Sequence, residues 1–403
     1  MTVGSLRRNR AASRALAVGV LALLLFTGCL EETLVWSPDG SRGAVLGPEG
    51  LYLCKPDGEL SALQVPGAYH VAWLADSQQL VIARSPGGLT GDNPLFQAKA
   101  TKVHGLVTAR LVGGQVVTGS TLHEGLGQIR EIRPSPGGRA VAFVAEQAPG
   151  PAAANEDSLQ LLLTPVDRPD SSRVATGVAA YPDWSPDGRS LIYVQASGSS
   201  HAGGLQLGTL VQRCVLDTSG RVSSMGDARE LAAGVFSADT RVRCLADGRI
   251  VFNATEVNLP VAAGDTGEQR DQLFAVDPAR QATLVRLIPR RQEESLPPTL
   301  AFFEISPDQQ RILFGDPSGA VCLFTLATGE VEAVQAGAEK QILSGQPVWR
   351  RDGAFSYTRR AVGKGGQPPA RKAEVVLRTG NSETVLSAAW PDQLVNDLVN
   401  DQD

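Results

Sequence analysis

The sequence predicts an all-β protein, a β-propeller of four-stranded antiparallel blades, and three observations lead to this prediction. A strand-turn-strand motif recurs along the chain, and each turn is followed by a short run of apolar, strand-forming residues. The copies follow one another at intervals of about fifty residues. A unit of this size cannot bury its own apolar faces, so the copies must stack on one another, as blades around an axis do.

The clearest copy of the motif spans residues 181–194 and contains Trp184-Ser185-Pro186-Asp187-Gly188. Proline presets the first corner of the turn, aspartate bonds to its own backbone, and glycine accepts a positive φ before the next strand. Alignment on the tryptophan position gives seven copies, at Trp36, Trp73, Pro134, Trp184, Cys244, Ile305 and Trp349. The aspartate is kept in six copies, as Asp39, Asp76, Asp187, Asp247, Asp308 and Asp352.

This motif resembles the repeat of TolB-type, WD40-like bacterial β-propellers, and the resemblance covers nearly all of the chain after residue 32. It implies a propeller over residues 33–386 with seven blades, or six as the alternative count. Residues 387–403 are predicted to form a tail or the segment that closes the ring. TolB-type proteins also carry an α/β domain before the propeller, whereas here the repeats are expected to follow the N-terminal segment directly.

The N-terminus predicts a cleaved signal peptide over residues 1–28. Arginines without any acid precede an apolar run over residues 15–26, which is shorter than the roughly twenty residues that span a bilayer. Thr27-Gly28-Cys29 resembles the lipobox of bacterial lipoproteins, in which the cysteine receives diacylglycerol and becomes the new N-terminus. The alternative is an ordinary cleaved signal with Cys29 as a spare thiol.

Lipidation of Cys29 would place the protein in the bacterial cell envelope. Residues 29–32 would then tether the propeller to the membrane. Leu30 rather than aspartate follows Cys29, and this pattern resembles lipoproteins that are passed to the outer membrane. The sequence therefore predicts a monomer on the periplasmic leaflet of the outer membrane.

Charge and composition argue against several other classes of function. The net charge is -5 and becomes more negative without the signal-peptide arginines, so a nucleic-acid partner is not expected. No residues have metal-ligand spacing and no phosphate-binding glycine loop follows a strand, so neither a metal nor a cofactor is predicted. The remaining cysteines are expected to pack in or beside strands, with a disulfide left open; they are Cys54, Cys214, Cys244 and Cys322.

Insertions between predicted strands indicate where binding takes place. They cover residues 84–101, 146–158, 195–204, 255–271, 288–300 and 360–372. Because strands alternate in direction within a blade, these loops emerge on one face of the ring. Long loops on a rigid scaffold usually carry binding, so the favoured interpretation is a scaffold module for another envelope protein. The alternative is that the insertions are tolerated surface segments.

One insertion has a basic flank without a single acid. Its basic residues are Arg359, Arg360, Lys364, Arg371 and Lys372. The first strand starts on the same face, close to the lipid tether, so these residues are predicted to contact lipid phosphates or an acidic partner. The alternative is a solvated loop.

No catalytic constellation stands out, so the chain is predicted not to be an enzyme and no catalytic residue is assigned. The segment Gly198-Ser199-Ser200-His201-Ala202 lacks the second glycine of a nucleophile elbow. The alternative is a lyase or hydrolase that acts on a carbohydrate-like substrate in the central channel, with His104, His123 and Arg130 as candidates. Converging histidines, arginines and carboxylates in the channel would favour this enzyme.

Overall fold

The computed structural model describes residues 34–85, 104–146, 159–168, 173–177, 179–196, 206–216, 226–237, 240–257, 269–280, 283–288, 302–315, 321–335, 341–361 and 373–397. Cys29, the signal peptide and the greater part of each predicted insertion lie outside these residues. Within the described ranges, no helix combines the length and the apolar character that a bilayer crossing needs.

Three four-stranded antiparallel sheets form the first part of the chain, each from consecutive strands. The first contains β1 (Leu34–Trp36), β2 (Gly43–Gly47), β3 (Gly50–Cys54) and β4 (Val65–Pro66). The second contains β5 (Ala68–Trp73), β6 (Gln79–Arg84), β7 (His104–Val112) and β8 (Gln115–Leu126). The third contains β9 (Ile129–Pro134), β10 (Ala140–Glu146), β11 (Leu159–Pro165) and β12 (Arg173–Gly177).

The next eight strands form one larger sheet. They are β13 (Ala179–Trp184), β14 (Ser190–Ala196), β15 (Gln206–Cys214), β16 (Ala228–Phe236), β17 (Val242–Cys244), β18 (Ile250–Val257), β19 (Gln269–Asp277) and β20 (Thr283–Arg286). A short 3-10 helix, Pro278–Arg280, connects the last two. The two halves of this sheet are joined by a single residue pair, Val235 on β16 with Thr255 on β18.

Two further four-stranded sheets and a C-terminal segment complete the described chain. One sheet contains β21 (Phe302–Ile305), β22 (Arg311–Gly315), β23 (Val321–Thr325) and β24 (Glu330–Gln335). The other contains β25 (Gln341–Trp349), β26 (Phe355–Ala361), β27 (Ala373–Thr379) and β28 (Ser382–Val385). A 3-10 helix, Leu386–Ala389, and a short α-helix, α1 (Asp392–Asp397), follow.

The all-β class and the antiparallel four-stranded blades are confirmed, but the predicted number of separate blades is wrong. Five blades are separate four-stranded sheets, rather than seven or six, and β13 to β20 share one sheet. The reason is local: the end of β16 passes the end of β18 before the chain enters β17, and Val235 there pairs with Thr255. Spacing along the sequence carries no information about such a meeting of strand ends.

The repeated turn is built by its own side chains. In the clearest copy the Ser185 hydroxyl donates to the Asp187 carboxylate over 2.6 Å, and the Arg189 backbone N–H donates to the same oxygen over 3.0 Å. Gly188 has a φ of 67°, which a side chain disfavours. The Ser185 hydroxyl lowers the pKa of Asp187, against the raising effect of burial. The motif therefore specifies its turn locally.

In three repeats, a tryptophan joins the first strand to the first strand of the repeat before it. The Trp73 indole N–H donates to the backbone carbonyl of Val35 over 2.9 Å, and that of Trp184 donates to the carbonyl of Arg133 over 2.8 Å. Trp349 bonds in the same way to the carbonyl of Glu304 over 3.2 Å. The tryptophan position thus fixes the spacing of neighbouring first strands as well as filling the core.

Residues 386–397, which we name the clasp, reinforce the closure of the ring, where the Trp36 indole N–H also donates directly to the Ser356 hydroxyl over 3.0 Å. The Trp390 indole N–H donates to the carbonyl of Gly58 over 2.7 Å, and Leu394 packs so closely on Gly47 that a Cβ there would lie 2.2 Å from its side chain. These residues share one buried cluster with Trp36 of the first blade and Val375 of the last. The clasp therefore joins the two ends of the ring through side-chain packing.

Candidate functional site at the centre of the ring

The first strand of each repeat lies innermost in the ring. These strands are β1, β5, β9, β13, β17, β21 and β25, and successive members contact one another around most of the circle, including β1 with β25. The first strand pairs with the second strand of its own repeat and leaves its other edge toward the axis. Side chains near that edge therefore line the central channel.

In each repeat, one residue lies directly before the tryptophan position. The charge at this position follows a pattern around the ring. In four consecutive repeats it alternates in sign, as Arg133, Asp183, Arg243 and Glu304, and we name this set the charged arc. In the other three repeats the residue is apolar, as Val348, Val35 and Ala72, and we name this set the apolar arc. The aligned position is thus charged over four consecutive repeats and apolar over the other three.

Arg243 and Glu304 form a two-pronged ion pair across neighbouring blades. The Arg243 Nε donates to Glu304 Oε2 over 3.2 Å, and its Nη2 donates to Oε1. Arg243 is 8% exposed, and burial alone would lower its pKa, but Glu304 raises that pKa above its ordinary value. Burial would raise the pKa of Glu304, whereas Arg243 and Arg133 lower it on balance. Both groups therefore stay charged.

Asp183 is the carboxyl group in this channel whose pKa is raised. Its Oδ2 accepts a hydrogen bond from the Cys244 backbone N–H over 2.7 Å. Burial raises its pKa, and this effect exceeds the lowering by Arg243 and Arg133. A carboxyl group that keeps its proton to higher pH and lies beside guanidinium groups has the properties of an acid-base group.

Among the described residues, the guanidinium group of Arg133 is hydrogen-bonded at its Nε only. Its Nε donates to Glu131 Oε1 over 3.0 Å, on the same strand. Its terminal nitrogens make no hydrogen bond within the described part of the chain, and the side chain is 22% exposed. Its charge acts on both Asp183 and Glu304. Arg133 is thus oriented by Glu131 and lies near two other members of the charged arc.

The three channel candidates from the sequence have other surroundings. His104 is buried with its ring edge-on to Tyr69, at 5.3 Å between centroids. The ring of His123 packs against Phe143 at 6.0 Å, and Arg130 donates from Nε to Glu146 over 3.0 Å. The charged arc was missed, although a signal for it exists. Its members occupy the same position when the repeats are aligned, one residue before the tryptophan position.

The predicted basic cluster is described in part. Arg359 bonds to Glu374 over 3.0 Å and to Glu383 over 2.7 Å, so its guanidinium group is engaged within its own blade. Arg360 lies on β26, and its side chain is outside the description. The remaining members, Lys364, Arg371 and Lys372, lie outside the described residues, as does Cys29. Contact of this cluster with lipid or a partner stays a prediction.

Cys54, Cys214, Cys244 and Cys322 are free thiols, so the disulfide left open by the sequence does not form among them. Burial raises the pKa of the Cys244 thiol, with a further contribution from Asp183, which makes it a poor nucleophile. The described residues contain no group of three or more side chains placed to hold a metal ion.

Comparison with known proteins gives similarity in structure alone. No family model and no curated protein matches the sequence. Puromycin hydrolase matches with a TM-score of 0.59 at 15% identity, over 91% of this chain and 55% of its own. The propeller domain of the Trilobed protease from Pyrococcus furiosus matches with a TM-score of 0.52 at 9% identity, over 87% of this chain and 91% of that one.

Oligogalacturonate lyase from Vibrio parahaemolyticus matches with a TM-score of 0.52 at 9% identity, over 87% of this chain and 90% of its own. The chain has the β-propeller fold. It spans about half the length of puromycin hydrolase, 55%.

The prediction that the chain is not an enzyme is contradicted, because the propellers it is similar to belong to a hydrolase, a protease and a lyase. A site assembled from side chains of different repeats leaves no local motif in the sequence, so the lack of such a motif did not exclude an enzyme.

Proposed function

We propose that the protein is a propeller enzyme, a lyase or hydrolase that acts on a carbohydrate-like substrate at a site in the central channel. The observation that carries this proposal is the charged arc, in which Asp183, with a raised pKa, is a neighbour of Arg133 and Arg243. The shared fold with a hydrolase and a lyase supports it. The scaffold role favoured by the sequence has no comparable support among these proteins.

Each member of the charged arc has a role in this proposal. Asp183 moves the proton, because its raised pKa brings it closer to neutral pH than an ordinary aspartate. Arg133 faces the negative charge that develops in the transition state, as the donors of an oxyanion site do. Arg243 and Glu304 hold one another and set the position of Asp183, since Arg243 is one of the charges that act on it.

The test is turnover of acidic and neutral oligosaccharides by the purified full chain. A lyase produces a new carbon–carbon double bond, seen by ultraviolet absorbance, and a hydrolase produces a new reducing end without one. Asp183→Asn is expected to lower the turnover by about 100-fold or more, because it removes proton transfer. Asp227→Asn, at an exposed aspartate away from the first strands, is the matched control and should retain activity.

Two results would overturn the proposal. One is full activity of Asp183→Asn beside the control. The other is the absence of turnover of every oligosaccharide by a wild-type protein that is shown to be folded.

We also propose that the eight-stranded sheet works as two blades, so that seven blades surround the axis. Two observations support this. One residue pair joins its halves, and a buried cluster packs Ile192 and Leu210 of the first half against Phe252 and Val276 of the second. Strands of one continuous sheet do not face each other in this way. An experimental structure with further backbone pairs between β16 and β18 would reject the seven-blade count.

We propose a lipid anchor at Cys29, a place on the periplasmic leaflet of the outer membrane, and a relationship to TolB-type propellers. The support is the sequence: the lipobox-like Thr27-Gly28-Cys29 and the repeated turn motif. Mass spectrometry of the membrane fraction should find acylated Cys29 in the wild type and no acylated N-terminus in Cys29→Ser. An unlipidated mature wild type would refute the anchor.

A further inference from the structure

Arg133 lies where the two arcs of the channel meet. In the order of the repeats, Ala72 of the apolar arc directly precedes it, and Asp183 of the charged arc follows it. Glu131 holds its Nε, so the plane of the guanidinium group is fixed by a neighbour two residues away on β9. Its terminal nitrogens therefore form a pre-oriented fork of donors at the boundary between a charged and an apolar wall.

The side chains of the charged arc differ in how many of their donors and acceptors make hydrogen bonds. Arg243 donates to Glu304 through two nitrogens and to the carbonyl of Val242 through a third, so its guanidinium group is largely engaged. Asp183 accepts from the Cys244 backbone and Glu304 accepts from Arg243. Arg133 stands out, because two of its nitrogens make no hydrogen bond within the described residues. Because donors rather than acceptors are left without a hydrogen bond in the described chain, the charged arc favours binding of an anion over binding of a cation.

The apolar arc supplies the other part of the site. Val35 and Val348 are half-buried and each packs partly on a core cluster, while Ala72, 9% exposed, belongs to such a cluster; all three lie on innermost strands. No charged residue occupies the aligned position in these three consecutive repeats. A ligand group placed there would bury apolar surface, which is favourable in water.

We infer that the channel binds an amphipathic acid, whose carboxylate lies on the terminal nitrogens of Arg133 and whose apolar body lies over Val35, Ala72 and Val348. This inference goes beyond the proposed function, because an acid with an apolar body differs from the carbohydrate-like substrate proposed there, and it shares only the channel site with that proposal. The raised pKa of Asp183 supports it. A carboxyl group that is protonated more of the time carries less negative charge, so Asp183 competes less with the carboxylate of the ligand for Arg133.

The experiment is calorimetric titration of the folded full chain with three probes. 4-Phenylbutyrate has both the carboxylate and the apolar body, butyrate lacks the apolar body, and 4-phenylbutylamine has the opposite charge. We expect 4-phenylbutyrate to bind at least about 10-fold more tightly than either control compound, since hydrogen bonds to charged groups and apolar burial each contribute at this level.

Two substitutions separate the two walls. Arg133→Gln should weaken 4-phenylbutyrate by about 10-fold or more, whereas Arg110→Gln, at an exposed arginine on β7, should leave its affinity unchanged. Val35→Thr keeps the side-chain shape and should weaken 4-phenylbutyrate by about 3-fold while leaving butyrate unchanged. Circular dichroism confirms that each variant is folded, and Val35→Thr carries the test if Arg133→Gln does not fold.

Three results would overturn the inference: no binding of 4-phenylbutyrate at millimolar concentration, tighter binding of the amine, or equal affinity in a folded Arg133→Gln. The outcome is separable from that of the proposed function. Binding without turnover of any carbohydrate would reject the enzyme and leave the acid-binding site. Turnover of a carbohydrate without binding of 4-phenylbutyrate would reject the acid-binding site and leave the enzyme.

Discussion

The turn aspartates make stability depend on pH at the scale of single residues. The Ser185 hydroxyl and the Arg189 N–H hold the pKa of Asp187 below its ordinary value in the folded protein. A lowered folded pKa adds stability above the unfolded pKa of about 3.9, and this stability is lost as the pH falls through the folded pKa. The same direction holds for Asp39, Asp76, Asp247, Asp308 and Asp352.

We therefore expect the free energy of unfolding to fall between about pH 6 and pH 3, and to fall less in Asp187→Asn. Urea denaturation at both pH values measures this. Asp227→Asn, at an exposed aspartate outside the repeated turns, should keep the wild-type decrease. Equal decreases in all three proteins would show that the turn hydrogen bonds do not set the pH dependence.

The indole hydrogen bond of Trp73 gives a second prediction at this scale. Trp73→Phe keeps an aromatic ring but leaves the Val35 carbonyl without its donor, and the expected loss of stability is about 1–2 kcal/mol. Tyr52→Phe removes an exposed hydroxyl bond to Glu49 and should cost no more than about 0.5 kcal/mol. Chemical denaturation compares the two. Similar losses would mean that the cross-blade bond contributes nothing specific.

Sequence reasoning at the residue scale succeeded where the chemistry is local. The serine, aspartate and glycine of the turn interact within a few residues, so their arrangement follows from their order. The charged arc depends on residues that are about fifty to sixty positions apart and meet at the axis. Its members lie in one column of the alignment, but their contact follows from closure of the ring.

Between elements, Arg243 and Glu304 link the innermost strands β17 and β21. Arg243→Met would leave the Glu304 carboxylate buried without its partner, at an expected cost of about 3–5 kcal/mol. The double variant Arg243→Met, Glu304→Leu should recover most of this loss, because it leaves no lone charge from the pair. A double-mutant cycle by urea denaturation measures the coupling. Strictly additive losses would mean that the two side chains do not stabilise one another.

The elements themselves were well predicted, and their joining was not. Short apolar runs of strand-forming residues after each turn mark the strands, since strand propensity is a local property. The residue pair between Val235 and Thr255, which merges two groups of four strands into one sheet, depends on how two strand ends meet in space. The insertions, to which the sequence assigned binding, lie mostly outside the described residues.

At the scale of the whole molecule, the clasp packs on both the first and the last blade. Trp390→Ala removes a buried side chain and its bond to Gly58, so a loss of about 3–5 kcal/mol is expected. Hydrogen exchange should increase most in β1 and β27, which share the cluster with the clasp. Leu284→Ala, at an exposed position on β20, is the control and should leave both unchanged. A uniform increase over all blades would argue against a local junction.

Each group of four strands is made from one uninterrupted stretch of chain, and the first and last groups pack on one another and on residues 386–397. The order of the sequence is therefore also an order in time. As the chain emerges from the ribosome or from a membrane channel, each blade can complete its own pairing before the next one arrives. Until the last group of strands and the clasp follow, the molecule is an arc with two uncovered apolar ends, and transiently exposed apolar surface favours aggregation.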